Sequence, residues 1–153
     1  MLETPHVVVG AAIATQIPNP LIALPLALAS HFVLDKLPHW NPHLYSETDK
    51  YGKPSLNSTI LTFIDLGFSL TLGTLIASRA LPDFGYFATI MAACLVSALP
   101  DIVEAPYFFM GVRNKYLKRW INIQRSMQFD NGIVWGIITQ ILVLGASFWW
   151  ILG

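Results

Sequence analysis

Three stretches of this chain, Asn57 to Ser78, Phe84 to Pro100 and Gly132 to Gly153, carry a single charged residue between them, Asp65. About 20 apolar residues in a helix cross the roughly 30 Å hydrocarbon core of a bilayer. In that solvent the backbone must satisfy its own hydrogen bonds, so such stretches are read as helices. Two shorter apolar segments precede them. Pro5 suits the first turn of a helix capped by Thr4 and running to Ile17, and the turn Pro18-Asn19-Pro20 leads into a second helix from Leu21 to about Leu37. Only 12% of residues are charged, against about 25% in a water-facing domain. The expectation is an all-α polytopic membrane helix bundle of about five helices, forming one integral membrane domain over residues 1–153.

The nine basic and nine acidic residues cancel, so nothing points to a nucleic-acid partner, and their placement carries the information instead. The N-terminus lacks the basic start and small-residue cleavage pattern of a signal peptide, so the first helix is expected to be mature structure. If the first two helices pair as a hairpin, the N-terminus, the segment 36–56 and the segment 101–128 share one face. Lys36, Lys50, Lys53, Arg113, Lys115, Lys118, Arg119 and Arg125 all lie there, and Arg79 alone lies opposite. The positive-inside rule then predicts a cytoplasmic N-terminus and an outside C-terminus, as in a bacterial inner membrane. Cys94, the single cysteine, has no partner for an intramolecular disulfide and reads as a packing residue.

Within 107–127, Phe109, Val112, Tyr116, Trp120, Ile123 and Met127 recur at helical spacing while Arg113, Lys115, Lys118, Arg119 and Arg125 fill much of the rest. That pattern predicts an amphipathic interfacial helix whose basic face meets anionic lipid headgroups. An ordinary loop helix packed on the helix ends is the plainer reading. A repeat is also visible, with Leu37-Pro38-His39 matching Leu99-Pro100-Asp101 and His6 matching Asp65. It suggests a parallel two-helix duplication followed by a C-terminal span.

The ionisable residues gather at one depth. His6 opens the first helix, His31, Asp35 and His39 fall at four-residue spacing toward the end of the second, and Asp65 lies two turns into the third. Asp101 and Glu104 close the fourth, and Asp130 opens the fifth as a supporting candidate. An intramembrane charge costs several kcal/mol unless it is paired, hydrated or bound to metal. Imidazole and carboxylate are donors that suit zinc, manganese or iron. A divalent ion held with one position open acidifies water for attack on an ester or phosphoester. Taken alone, His31-x-x-x-Asp35 reads equally as a histidine satisfied by a neighbouring acid, and Asp101 and Glu104 as helix-end acids offsetting Arg113 and Lys115.

A histidine near the start followed by small residues, the segment Ser30-His31-x-x-x-Asp35 and the motif Leu99-Pro100-Asp101 resemble the membrane-bound metal-dependent hydrolases predicted in bacterial inner membranes. The resemblance implies metal ligation by His6, His31, Asp35 and Asp101, with Glu104 a further candidate. The order of the two motifs is inverted here, and the family's His-Arg-Gly-x-Thr-His-Ser stretch is absent. His39 and Asp65 are not assigned by the match. The combined expectation is a metal-dependent hydrolase of a small-molecule or lipid ester at the cytoplasmic membrane surface. In it His6, His31, Asp35, His39 and Asp101 hold metal, zinc first, and Asp65 or Glu104 acts as base. The alternatives are a small transporter or ion-binding membrane protein that uses the same Asp/His cluster, and a scaffold whose polar groups merely pair.

Overall fold

The computed structural model describes all residues, Met1–Gly153, and is all-helical. The elements are α1 (Glu3–Gln16), α2 (Pro20–Leu34), α3 (Leu44–Tyr51), α4 (Leu56–Ser78), α5 (Phe84–Phe109), α6 (Lys115–Met127) and α7 (Ile133–Leu152). Three of them, α4, α5 and α7, are long and apolar enough to cross a membrane, which accords with an integral membrane protein. Their surfaces display Leu61, Phe68, Leu75, Leu95, Ile141, Leu142 and Trp149. Apolar cover of that extent suits acyl chains and would be a liability in water.

The shortest apolar helix is the most enclosed. α1 touches α2, α4, α5 and α7, and ten of its fourteen residues are buried. Small residues make this possible: Ala11, Ala14, Ala23, Ala27, Ala77, Ala93 and Ala98 sit in the core beside Val8, Ile90 and Cys94. Helix axes approach closely where side chains are small, which is how packing holds helices together when the surroundings are as apolar as the core. Gly10 is the tightest point, since a Cβ there would lie 2.6 Å from Ser97 Oγ and 2.8 Å from the Ala93 carbonyl on α5.

Far from the basic end, Gln16 donates to the Trp150 carbonyl at 2.7 Å and the Tyr86 hydroxyl to the Thr15 carbonyl at 2.7 Å. These bonds hold the α1–α2 turn, the start of α5 and the end of α7 together. The opposite end therefore collects the starts of α1, α4 and α7, the ends of α2 and α5, and the two short helices α3 and α6.

Four local readings change. Leu2, not Thr4, is the N-cap of α1, and Thr4 inside the helix donates its hydroxyl to Asp65. α2 stops at Leu34, short of the expected Leu37. α5 runs through Pro100 and Pro106 to Phe109, where Pro100 was expected to end it. Proline removes one N–H and crowds the preceding turn, and carbonyls near these breaks find other donors: Ser97 takes His31, Pro100 takes Trp120, and Pro106 takes the Met110 and Val112 N–H groups. Because α5 extends so far, the amphipathic helix begins at Lys115 and not at 107. Its inward residues Ile121 and Gln124 are buried against the bundle, while Tyr116, Lys118, Arg119 and Ile123 face outward. α3, within the expected loop 36–56, ends at Gly52, whose φ of 79° needs a residue without a Cβ.

Candidate metal centre

Asp35 is the centre of the polar cluster. It follows the last turn of α2 with helical φ and ψ, so it keeps its four-residue relation to His31. Its Oδ1 lies 3.3 Å from His6 Nε2 and 3.9 Å from His39 Nε2, and its Oδ2 lies 3.4 Å from His31 Nε2. His31 Nε2 is also 3.7 Å from Asp101 Oδ1. The Met1 ammonium donates to Asp35 Oδ1 at 2.7 Å, and Gln128 donates to Oδ2 at 3.4 Å. His6, His31, Asp35 and His39 are essentially sealed from solvent.

Separate backbone devices aim the imidazoles. His31 Nδ1 is 2.8 Å from the Ser97 carbonyl and His39 Nδ1 is 2.8 Å from the Leu37 carbonyl. A carbonyl only accepts, so in each ring Nδ1 carries the proton, and in the neutral form Nε2 presents its lone pair to the cluster. This is the usual outer support of a metal-binding histidine. His39 is no longer on a helix; its backbone pairs with the chain at Phe129 and Asn131, forming an isolated parallel bridge with Asp130. Thus the expected shared helix face holds for His31 and Asp35, while His39 arrives by way of a short strand contact. Gly136 of α7 lies beneath it, where a Cβ would come within 2.3 Å of the Trp40 nitrogen. Burial, followed by the positive N-terminus, pushes the His39 imidazole below its ordinary pKa and favours the neutral, ligating form. His6 stacks on His31 with ring centroids 4.0 Å apart, and neither of its buried ring nitrogens has a hydrogen-bond partner.

Lone pairs of imidazole nitrogen and carboxylate oxygen thus face one another at 3.3 to 3.9 Å. Such acceptors repel unless a cation lies between them. Ligands placed 2.0–2.1 Å from a tetrahedral ion stand about 3.3–3.4 Å apart, close to the shorter separations here. His6, His31 and Asp101 alone offer three ligand atoms within 4.8 Å of one another, a buried group that can hold a metal ion. The donor set fits such an ion on chemistry and on spacing.

The remaining expected site residues divide. Glu104 is buried beside the cluster, with Oε1 unpartnered. Asp65 is occupied otherwise: Oδ2 accepts from the Glu3 N–H at 2.5 Å, and Oδ1 accepts from the Thr4 N–H at 3.3 Å and the Thr4 hydroxyl at 2.5 Å. It caps the start of α1 from α4, against the positive end of that helix. A cavity of about 370 Å³ adjoins the cluster, and Glu3, Asp65, Asp101, Glu104, Arg125 and Gln128 are among its lining residues.

Sequence reasoning missed Gln124. Buried on α6, it donates to Asp101 Oδ1 and lies 3.5 Å from His31 Nε2, while its own Oε1 has no partner. The signal was present: Leu117, Trp120, Ile121 and Gln124 share one helical face, so a polar amide falls where burial is expected. Met1 and Gln128 left no comparable signal. Compared with known proteins, the chain matches no family model, no curated protein sequence and no solved structure.

Proposed function

We propose that this protein is a metal-dependent hydrolase of an ester or phosphoester at the cytoplasmic surface of a membrane. The observation that carries the reading is the facing of His6, His31 and Asp101 acceptors around Asp35 in a buried site beside a cavity. In this reading His6, His31, Asp35 and Asp101 hold the ion, and His39 completes or supports the set. Zinc suits the donors and their spacing best, ahead of manganese and iron. When bound, such an ion supplies Lewis acidity, polarising the ester and acidifying water. Glu104, with a free buried oxygen on the cavity wall, is assigned as the base that takes the proton from the attacking water. Gln124 orients Asp101, and the Ser97 and Leu37 carbonyls fix the imidazole tautomers.

The basic residues at this end support a cytoplasmic orientation, and the short-motif resemblance to membrane-bound metal-dependent hydrolases agrees in chemistry. The test is turnover of a panel of carboxylic and phosphoric esters by metal-loaded protein in proteoliposomes. The proposal expects hydrolysis that a chelator abolishes, that added zinc restores, and that Glu104→Gln removes while metal is retained. A protein that holds metal in full yet hydrolyses none of the panel would instead be an ion-binding membrane protein.

A further inference from the structure

The cavity beside the cluster has two chemically distinct ends. One is polar, with Glu3, Asp101, Gln128 and Arg125; the other is apolar, with Phe63 and Leu66 of α4 and Ile102, Phe108 and Phe109 of α5. Phe63 and Ile102 line the cavity and are also 55% and 41% exposed on two of the membrane-length helices. The cavity therefore opens sideways between α4 and α5, on a surface that acyl chains cover, with the Phe63 and Phe109 rings 5.5 Å apart beside it.

Arg125 is the second observation. Its guanidinium lies 3.9 Å over the Tyr45 ring and has neither a carboxylate partner nor a side-chain hydrogen bond. Arg113 at the same end differs, because the Tyr107 and Gly52 carbonyls occupy its donors. A held but unpaired guanidinium at the mouth of a cavity is a ready phosphate receptor, since its planar fork matches two phosphate oxygens.

We infer that the cavity is a lateral entry site for an anionic phospholipid, with the headgroup phosphate on Arg125 and an acyl chain along Phe63, Ile102 and Phe109. It rests on the hydrolase reading only for the chemistry after binding. The occupant is set by the pairing of the two ends: a free phosphate leaves the apolar half unfilled, and a neutral lipid leaves Arg125 unpaired.

The test is equilibrium binding of acyl-labelled dioleoyl phosphatidic acid to the full chain in a neutral detergent, with glycerol 3-phosphate and dioleoylglycerol as competitors and metal content measured on the same sample. Phosphatidic acid should bind, and each competitor should be at least about tenfold weaker. Arg125→Gln should weaken binding about tenfold or more, the worth of one charge-assisted contact. Ile102→Trp, which narrows the opening from its lipid-facing side, should weaken it as well. Lys118→Gln, on the outward face of α6, should not. Glycerol 3-phosphate binding as tightly as the lipid would mean a free-phosphate site and overturn the inference, as would unaltered binding by both Arg125→Gln and Ile102→Trp. Metal without lipid binding removes this inference and leaves the hydrolase reading standing; lipid binding without metal does the reverse.

Discussion

Gly10→Ala adds one methyl group at the closest approach of α1 to α5. The new Cβ would meet Ser97 Oγ at 2.6 Å and the Ala93 carbonyl at 2.8 Å, whereas ordinary contact begins at 3.4 Å. The two helices must separate locally by about 0.6–0.8 Å to relieve this, because one obstacle is backbone and the other a hydroxyl already bonded to the Cys94 carbonyl. Overpacking of this kind costs about 1–3 kcal/mol, partly offset by the roughly 0.5–1 kcal/mol that alanine gains over glycine inside a helix. The larger effect is on the site. His6 lies one turn from Gly10 on α1, and the carbonyl of Ser97 holds His31. Metal–ligand distances tolerate only about ±0.2 Å, so the displacement should lower metal affinity about tenfold or more, comparable with loss of an outer supporting contact. The assay is metal titration beside thermal unfolding in detergent, with Gly145→Ala as control, since nothing lies within 4 Å of a Cβ there. A Gly10→Ala protein that binds metal like wild type and melts no lower would refute the packing argument and its link to the site.

Asp65→Asn should destabilise the protein by about 1–3 kcal/mol, because the carboxylate accepts three hydrogen bonds at the start of α1. Metal content should stay near that of wild type; an unchanged melting temperature would remove the capping role and return Asp65 to candidacy as a base. A third expectation concerns pH. His39 sits below its ordinary pKa of 6.5, so on acidification the unfolded chain takes up its proton before the folded one does. The His39 contribution to stability is therefore complete above 6.5 and lost as pH falls below it, and metal affinity declines in the same direction because protonated imidazole cannot ligate. Bound metal and melting temperature followed from about pH 8 to about pH 5 check this; affinity that rises on acidification contradicts it.

The spans were legible because a bilayer imposes a length and a charge filter that α4, α5 and α7 pass plainly. His6, His31, Asp35 and Asp101 were legible because ionisable groups next to apolar helices are costly to place there without purpose. Other features depended on contacts that spacing does not encode. Pro100 reads as a helix end, yet α5 continues because neighbouring donors reach the carbonyls near the break. His39 reads as a third residue on a helical face, yet it is placed by pairing with residues 129 and 131, about ninety positions away. Asp65 reads as a functional acid because nothing in the sequence shows that the N–H groups of Glu3 and Thr4 meet it. Gln124 is the instructive omission: attention to His and acids passed over an amide on the buried face of α6.

The most direct test of the account is metal quantified per chain in dialysed wild-type protein beside His31→Ala and Asp35→Asn, each confirmed as folded in detergent. The account predicts a stoichiometric divalent ion, foremost zinc, in wild type and its loss from both variants. Wild type without metal after zinc or manganese is added back, or variants that retain it in full, would contradict the central claim.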